Sequence, residues 1–542
     1  MSDLTIRGHL VDIPARRIVP TEVRVAQGRI ASITETSGPV EGYLLPGFVD
    51  AHVHVESSML IPSEFARVAV VHGTVATVSD PHEIANVLGA DGVAYMIANG
   101  RQVPFHFHFG APSCVPATPF ETAGARLDAD AIGALLADPD IGYLAEMMNF
   151  PGVLEGDPQV MAAIAHAHRL GKPVDGHAPG LRGDLARRYI AAGISTDHEC
   201  FTREEALDKL AHGMKILVRE GSAARNFDAL IGLLHDHADR LMFCSDDKHP
   251  DGLVAGHIDR LCARAVALGH DVFNVLRAAC INPVEHYRMP VGLLRPGDSA
   301  DLIQVHDLQD FRVRRTWVRG VAVAEEGRSL IPRVPADRPN RFHCTPKRPE
   351  HFRVAATPGD LLVIEVLDGQ LVTRKRWMPP TVADGCCVAD TTKDLLKIAV
   401  VNRYHDAPPA VAWATNFGLK RGAIAGSVAH DSHNIVAVGT NDHDLCTAIN
   451  DVIAHQGGIA LADGAHRRIL PLPVAGIMSD ADAWTVADAY AEMDSEARAL
   501  GSPLAAPYMT LSFMALLVIP HLKLSDKGLF DGDTFRLLNG TA

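Results

Sequence analysis

From residue 44 to about residue 280 the chain alternates short apolar runs with longer stretches in which apolar residues recur at helical spacing. This is the pattern of repeated βα units around a parallel sheet. Eight runs fit, at 44–49, 74–79, 102–109, 142–148, 173–175, 193–197, 215–218 and 241–245. Eight such units in about 240 residues suit a closed (β/α)8 TIM-like barrel better than an open doubly wound sheet. Before them, residues 21–33 alternate apolar and polar positions around Gln27-Gly28, as a hairpin does. After them, 301–305 and 316–324 again read as strands. A lone hairpin is marginal in water, so the two flanks are expected to pair into one small β-sandwich domain.

Residues 330–352 hold Pro332, Pro335, Pro339, Pro346 and Pro349 among charged residues, the composition of a linker. Beyond it, 422–439 reads as strand and turn around a polar centre, and 482–500 has helical periodicity. The expected organisation is therefore a small β domain in two parts (1–43 and 285–330), a barrel (44–284), a linker (331–352) and a separate C-terminal α/β domain (353–542).

Composition narrows the function. At 542 residues the chain exceeds what one core usually organises, and 47% hydrophobic against 21% charged residues excludes disorder. A formal charge of -15 without a basic stripe argues against nucleic acid as a partner. The longest apolar stretch, 514–520, is too short to span a bilayer, and the first ten residues lack a signal pattern, so no membrane partner and a cytoplasmic location are expected. The nine cysteines are scattered, with Cys386 and Cys387 adjacent rather than spaced for a bridge, and read as reduced. The 28 histidines stand out, because imidazole is the commonest metal ligand.

The strongest local signal is the run PGFVDAHVH from Pro46. In an extended backbone, residues two apart share a face, so His52 and His54 can reach one ion past the end of the first strand. At the carboxyl ends of later strands stand Glu146, His177, His198 and Asp246, and a barrel brings such ends to one mouth. Four histidines and two carboxylates exceed one tetrahedral ion with an open position, but suit two divalent ions about 3.5 to 4 Å apart. Glu146 is then the natural bridge and metal-assisted hydrolysis the implied chemistry. Nitrogen and oxygen donors admit manganese, iron and zinc alike. Asp246 can serve as ligand, as proton acceptor, or as both, with Asp247 as its competitor. His106 and His108 repeat the spacing on the third strand but precede Gly110-Ala111-Pro112, and are assigned to packing or supporting hydrogen bonds.

At these residues the sequence resembles the amidohydrolase superfamily and, within it, the adenine deaminase family. The resemblance is carried by PGFVDAHVHVESSM from Pro46, TVSDPHEIANVLG from Thr77, AEMMNFPGV from Ala145, DGHAPGL from Asp175, DHEC from Asp197, REGSAARN from Arg219 and SDDKHPDGL from Ser245. Past the barrel, GAIAGSVAHDSHNIVAVGTND from Gly422 and LPVAGIMSD from Leu472 extend it over nearly the whole chain. Glu146 stands where many superfamily members carry a carbamylated lysine, which agrees with this branch. The resemblance implies hydrolysis of adenine to hypoxanthine and ammonia in purine salvage, by a homo-oligomer (dimer or higher) with a binuclear manganese or iron centre. It also implies attack of water at C6, with Asp246 passing a proton to the departing ammonia.

Protonation of the ring nitrogen needs another acid. Glu83 and His82, after the second strand, are the candidates, with Glu56 and Glu199 as alternatives; ordering of the loop is the competing role. Arg219 and Ser222, after the seventh strand, are candidates for contact with the purine, against a simple pairing of Arg219 with Glu220. For the polar segment 430–434, turn formation or a domain contact is the commoner explanation, with direct action at the site as the alternative. Two other readings are a different amidohydrolase acting on a cyclic amide or another aminated heterocycle, and a catalytically silent metal-binding scaffold. A zinc nucleobase deaminase is excluded, since no Pro-Cys-x-x-Cys occurs.

Overall fold

The computed structural model describes residues 3–222 and 224–538. Its centre is a ring of eight parallel strands: Phe48–Val53, Thr74–Ser79, His106–Ala111, Ile141–Met147, Val174–Gly176, Thr196–Asp197, Lys215–Arg219 and Leu241–Cys244. The first five and the last three pair in sequence order. Backbone hydrogen bonds close both seams. Ser195 N donates to Val174 O (2.9 Å), and Asp246 N donates to His52 O (2.9 Å) while His54 N donates to Asp246 O (3.4 Å). The strands are buried along nearly their whole length, polar residues such as Asp50, Thr77 and Asp197 included, because barrel interior and helical jacket cover both faces.

Three of the expected runs are corrected, that at 193–197 being strand only at Thr196–Asp197. The run at 44–49 is two strands, Tyr43–Pro46 in a flanking sheet and Phe48–Val53 in the barrel. Gly47 makes the joint, where a Cβ would lie 2.3 Å from Val75 Cγ2, so the chain can change sheets there only without a side chain. The run at 102–109 starts four residues late, at His106. Gln102 N still bonds back to Asn99 O (3.1 Å) in the turn that ends helix Ala90–Gly100.

The flanks join in one eight-stranded sheet, where two packed sheets of a sandwich were expected. Its order runs Arg328–Ser329, Val321–Glu325, Val313–Val318, Leu302–Val305, Tyr43–Pro46, Leu4–Asp12, Arg17–Ala26 and Arg29–Glu35. The sheet curls over its own apolar face: Ile30 N donates to Asp298 O (2.9 Å), and Ile6, Val23 and Ile30 share a core with Leu302 and Trp317.

Past the barrel, residues 330–348 form no regular element yet are tied down. Ala475 N donates to Pro339 O (2.7 Å) and Arg341 Nη1 to Gly124 O (2.5 Å). The C-terminal part is a second eight-stranded sheet, ordered Arg374–Met378, Leu361–Glu365, Ala410–Thr415, Leu396–Val401, Ile435–Gly439, Ala423–Gly426, Gly458–Asp463 and His466–Pro471. Helix Asp442–Ala454 covers one face. The other face shares one continuous core with the barrel, in which Ile398, Val436 and Val438 join Met59 and Leu60. The periodic stretch at 482–500 is helix Ala483–Ala499, capped by Asp482, and its Tyr490 hydroxyl meets His249 Nδ1 of the barrel (2.5 Å). Among the described residues, no helix is long and apolar enough to cross a membrane.

Candidate metal centre and active site

Because all eight strands run the same way, their carboxyl ends share one rim. The first strand delivers His52 and His54, the fourth Glu146, the fifth His177, the sixth His198 and the eighth Asp246. The structure brings all six together. His52 Nε2 and His54 Nε2 lie 3.2 Å apart, and 3.6 and 3.2 Å from Asp246 Oδ1. Glu146 faces both halves of the group. Its Oε1 is 3.4 Å from His54 Nε2, and its Oε2 is 3.2 Å from His198 Nε2 and 2.6 Å from His177 Nδ1.

These donors fit a metal. Around an ion with bonds of about 2.1 Å, neighbouring ligands stand about 3.0 to 3.5 Å apart, close to the spacings just given save that of His177 and Glu146, which are in direct hydrogen-bond contact at 2.6 Å. Nδ1 of His54 donates to the Asp80 carbonyl (3.2 Å), leaving Nε2 as the lone pair turned to the cluster. His52, His54 and Asp246 form one set of converging donors, and His52, Glu146 and His198 an adjoining one.

Burial alone would raise the Asp246 carboxyl, but the Arg219 guanidinium and the imidazoles of His52 and His54 outweigh it and hold the group well below the usual carboxylate range. Glu146 behaves alike, with His177 and His198 overcoming the cost of burial. Carboxylates kept ionised against imidazoles are the arrangement in which a cation can replace shared protons.

Around this centre the other candidates separate. His82 Nδ1 lies 3.5 Å from Glu146 Oε1 and 3.3 Å from Asp80 Oδ2, and its Nε2 lies 3.6 Å from Glu83 Oε1. Arg219 reaches the site but does not pair with Glu220, which takes Arg264 instead (3.1 Å). Its guanidinium bridges Glu199 and Asp246, with Nη2 2.9 Å from Glu199 Oε2. Ser222 faces elsewhere: its hydroxyl accepts the His249 N–H (2.9 Å), bracing the loop that carries Asp247. Asp247 accepts from the Ser57 hydroxyl (2.5 Å). Glu56 accepts the Ile84 N–H (3.2 Å), and burial pushes its carboxyl up to about 7.

Sequence reasoning missed the wall of the cleft. Leu371, Phe513, Leu516 and Ile519 of the C-terminal part line it, together with His430 and Asp431. The apolar stretch at 514–520, weighed only as a membrane candidate, carries Leu516 and Ile519 of that wall, and Phe513 immediately precedes it. Lys523 braces it from behind, donating to the carbonyls of Leu371 (2.7 Å) and Phe513 (2.9 Å).

Known proteins place this arrangement. Residues 43–323 match the amidohydrolase family model, and residues 370–536 match the adenine deaminase C-terminal domain. Adenine deaminase of Salinibacter ruber is 58% identical over 541 residues, covering 99% of both chains. The chain belongs to the adenine deaminase family of amidohydrolases. Other adenine deaminases are similar over comparable lengths: that of a Sulfurovum species is 55% identical, with 99% of each chain covered, and that of Methanosarcina barkeri 49%, with 98% of each. In this member of the adenine deaminase family, the barrel supplies the donor cluster and the C-terminal part supplies the apolar wall.

Proposed function

We propose that this chain catalyses the hydrolytic deamination of adenine to hypoxanthine and ammonia, water adding at C6 as the amino group departs. The observation that carries this reading is a cluster of six metal-type donors, five of which line one cleft together with an apolar wall suited to a flat heterocycle. Full-length similarity to proteins named adenine deaminase supports it. Two divalent ions complete the centre, manganese or iron, with zinc also suited to the donors. His52, His54 and Asp246 would hold one, His177 and His198 the other, and Glu146 both. When bound, such ions supply a nucleophilic water near neutral pH.

The chain's own groups divide the remaining work. Asp246 turns Oδ2 to Arg219 and Oδ1 to the histidines, so it stays ionised, able to take the proton of the attacking water and pass it to the leaving nitrogen. Arg219 positions Asp246 and Glu199 and leaves purine contact to others; Ser222 acts at one remove, through the Asp247 loop. Glu83 lines the same cleft, and burial is outweighed by His430, His433 and His82, which hold its carboxyl well below the usual range. Being ionised, it would relay the second proton of the attacking water to a ring nitrogen, with His82 between it and Glu146. Leu371, Phe513, Leu516 and Ile519 shield the ring from bulk water.

The nine cysteines are all unpaired, which suits the reducing cytoplasm and a place in purine salvage; assembly as a homo-oligomer belongs to the same reading and is checked by sedimentation. The reaction itself is tested by incubating manganese- or iron-loaded protein with adenine and following the ultraviolet spectrum and ammonia release. Equal yields of hypoxanthine and ammonia are expected. No hypoxanthine with either metal overturns the proposal.

A further inference from the structure

The segment 427–434, between strands Ala423–Gly426 and Ile435–Gly439, crosses from the C-terminal sheet to the barrel's second βα loop. His430 Nδ1 meets Glu83 Oε1, and His433 Nε2 meets Glu83 Oε2 at 2.5 Å. All three side chains are at most 3% exposed. A carboxylate gripped at both oxygens by separate imidazoles can neither rotate nor withdraw.

The tautomers support this. Ala429 N–H points at His433 Nδ1 (3.3 Å), so that nitrogen accepts and Nε2 carries the hydrogen donated to Glu83. The His430 ring is stacked on Phe513 of the cleft wall, with centroids 4.6 Å apart and planes 12° from parallel. The wall and the carboxylate are thereby fixed relative to each other.

The segment is itself braced from both sides. Asn434 Nδ2 donates to Thr122 O of the barrel (2.9 Å) while Asn434 Oδ1 accepts Arg403 N–H (3.1 Å). Ser427 Oγ donates to Gly476 O (2.6 Å) and accepts from Gly458 N (2.8 Å). The Tyr404 hydroxyl donates to Ser432 O (2.5 Å). A loop that served only to join two strands would not need anchors on the barrel.

We propose that His430 and His433 are positioning residues, through which the C-terminal domain orients the Glu83 carboxylate toward the purine. The inference rests on the deaminase reading given above. It assigns the domain a part in turnover in addition to covering the cleft, and it predicts that the metal centre forms without that part.

The test uses the full-length, metal-loaded chain. His433→Ala should lower kcat for adenine by about 100-fold, with KM within about threefold and metal content unchanged. His433→Gln, whose side-chain amide can place a donor near the position of Nε2, should recover at least a tenth of the wild-type kcat (order of magnitude from the same range). In a double-mutant cycle, His433→Ala should cost little further in a Glu83→Gln background, because it acts through that carboxylate. Independent losses in the cycle, or a Gln variant no better than Ala, would overturn the inference. A wild-type chain that does not turn over adenine would instead sink the deaminase reading, so the two failures are told apart.

Discussion

Two His-x-His pairs sit on strands of the same barrel, and only one joins the donor cluster. His52 and His54 close the first strand at its carboxyl end, with His54 Nε2 3.4 Å from Glu146 Oε1. His106 opens the third strand at its amino end, and its Nε2 lies 3.0 Å from Asp301, next to the flanking sheet. His108 lies parallel to the Tyr143 ring, with centroids 5.8 Å apart, and its Nε2 has no hydrogen-bond partner among the described residues. The spacing sets which residues share a face of a strand, but the position along the strand sets which mouth of the barrel they meet. In a parallel barrel the two mouths are chemically distinct places.

The sharpest way to break this comparison is to truncate one member of each pair. His52→Ala should lower kcat for adenine by about 1,000-fold or more and reduce bound metal, as read by steady-state assay and metal analysis. Chelation of wild-type protein should do the same and be reversed by added manganese. His108→Ala should keep kcat within about threefold of wild type, as expected for a group outside the catalytic mouth. Similar losses for both variants would abolish the distinction between the mouths.

Next in size is Arg219→Met, which removes the cation shared by two buried carboxylates of the upper mouth. Loss of one partner from a buried ion pair costs about 3 to 5 kcal/mol, to be read from denaturant unfolding. Activity should fall by about 100-fold as Asp246 loses its orientation. Full stability in this variant would mean that Glu199 and Asp246 are not held by Arg219.

Much of this was legible in the sequence because barrel physics is repetitive. Strand ends that carry His or a carboxylate converge whatever their separation along the chain, which placed Glu146, His177, His198 and Asp246 beside His52 and His54. The strand limits were less legible, since Gly47 divides one apolar run between two sheets and hydrophobicity does not register that change. The grip on Glu83 was beyond a local reading: His430 and His433 lie 347 and 350 residues from it, and only the docking of the C-terminal sheet on the barrel brings them together. The same holds for Phe513, whose apolar context fits a core as well as a cleft.

At the lower mouth the expected effects turn from activity to stability. His106→Ala should cost about 2 kcal/mol, because Asp301 retains the N–H groups of Gly292 (3.0 Å) and Arg319 (2.8 Å) after losing the imidazole. Thermal or denaturant unfolding measures it, and kcat should stay at the wild-type value. A fall in kcat with unchanged stability would link this mouth to the chemistry above it.

The smallest effect concerns His108 and depends on pH. Burial, helped by the nearby Lys172 ammonium, lowers its imidazole to about 4 from an ordinary 6.5. The unfolded chain therefore takes up a proton at this residue more readily than the folded one does. The neutral ring's contribution to stability is fully present above pH 6.5 and is lost as pH falls from 6.5 toward 4. Because part of the ring reaches solvent, the loss is about 1 kcal/mol. His108→Gln cannot titrate, so the difference in unfolding free energy between wild type and variant should shift by that amount between pH 7.5 and 4. Both proteins should show the same kcat at pH 7.5. Parallel stability curves across that range would mean that the ring is not held neutral by its surroundings, and the pH dependence assigned to the lower mouth would be lost.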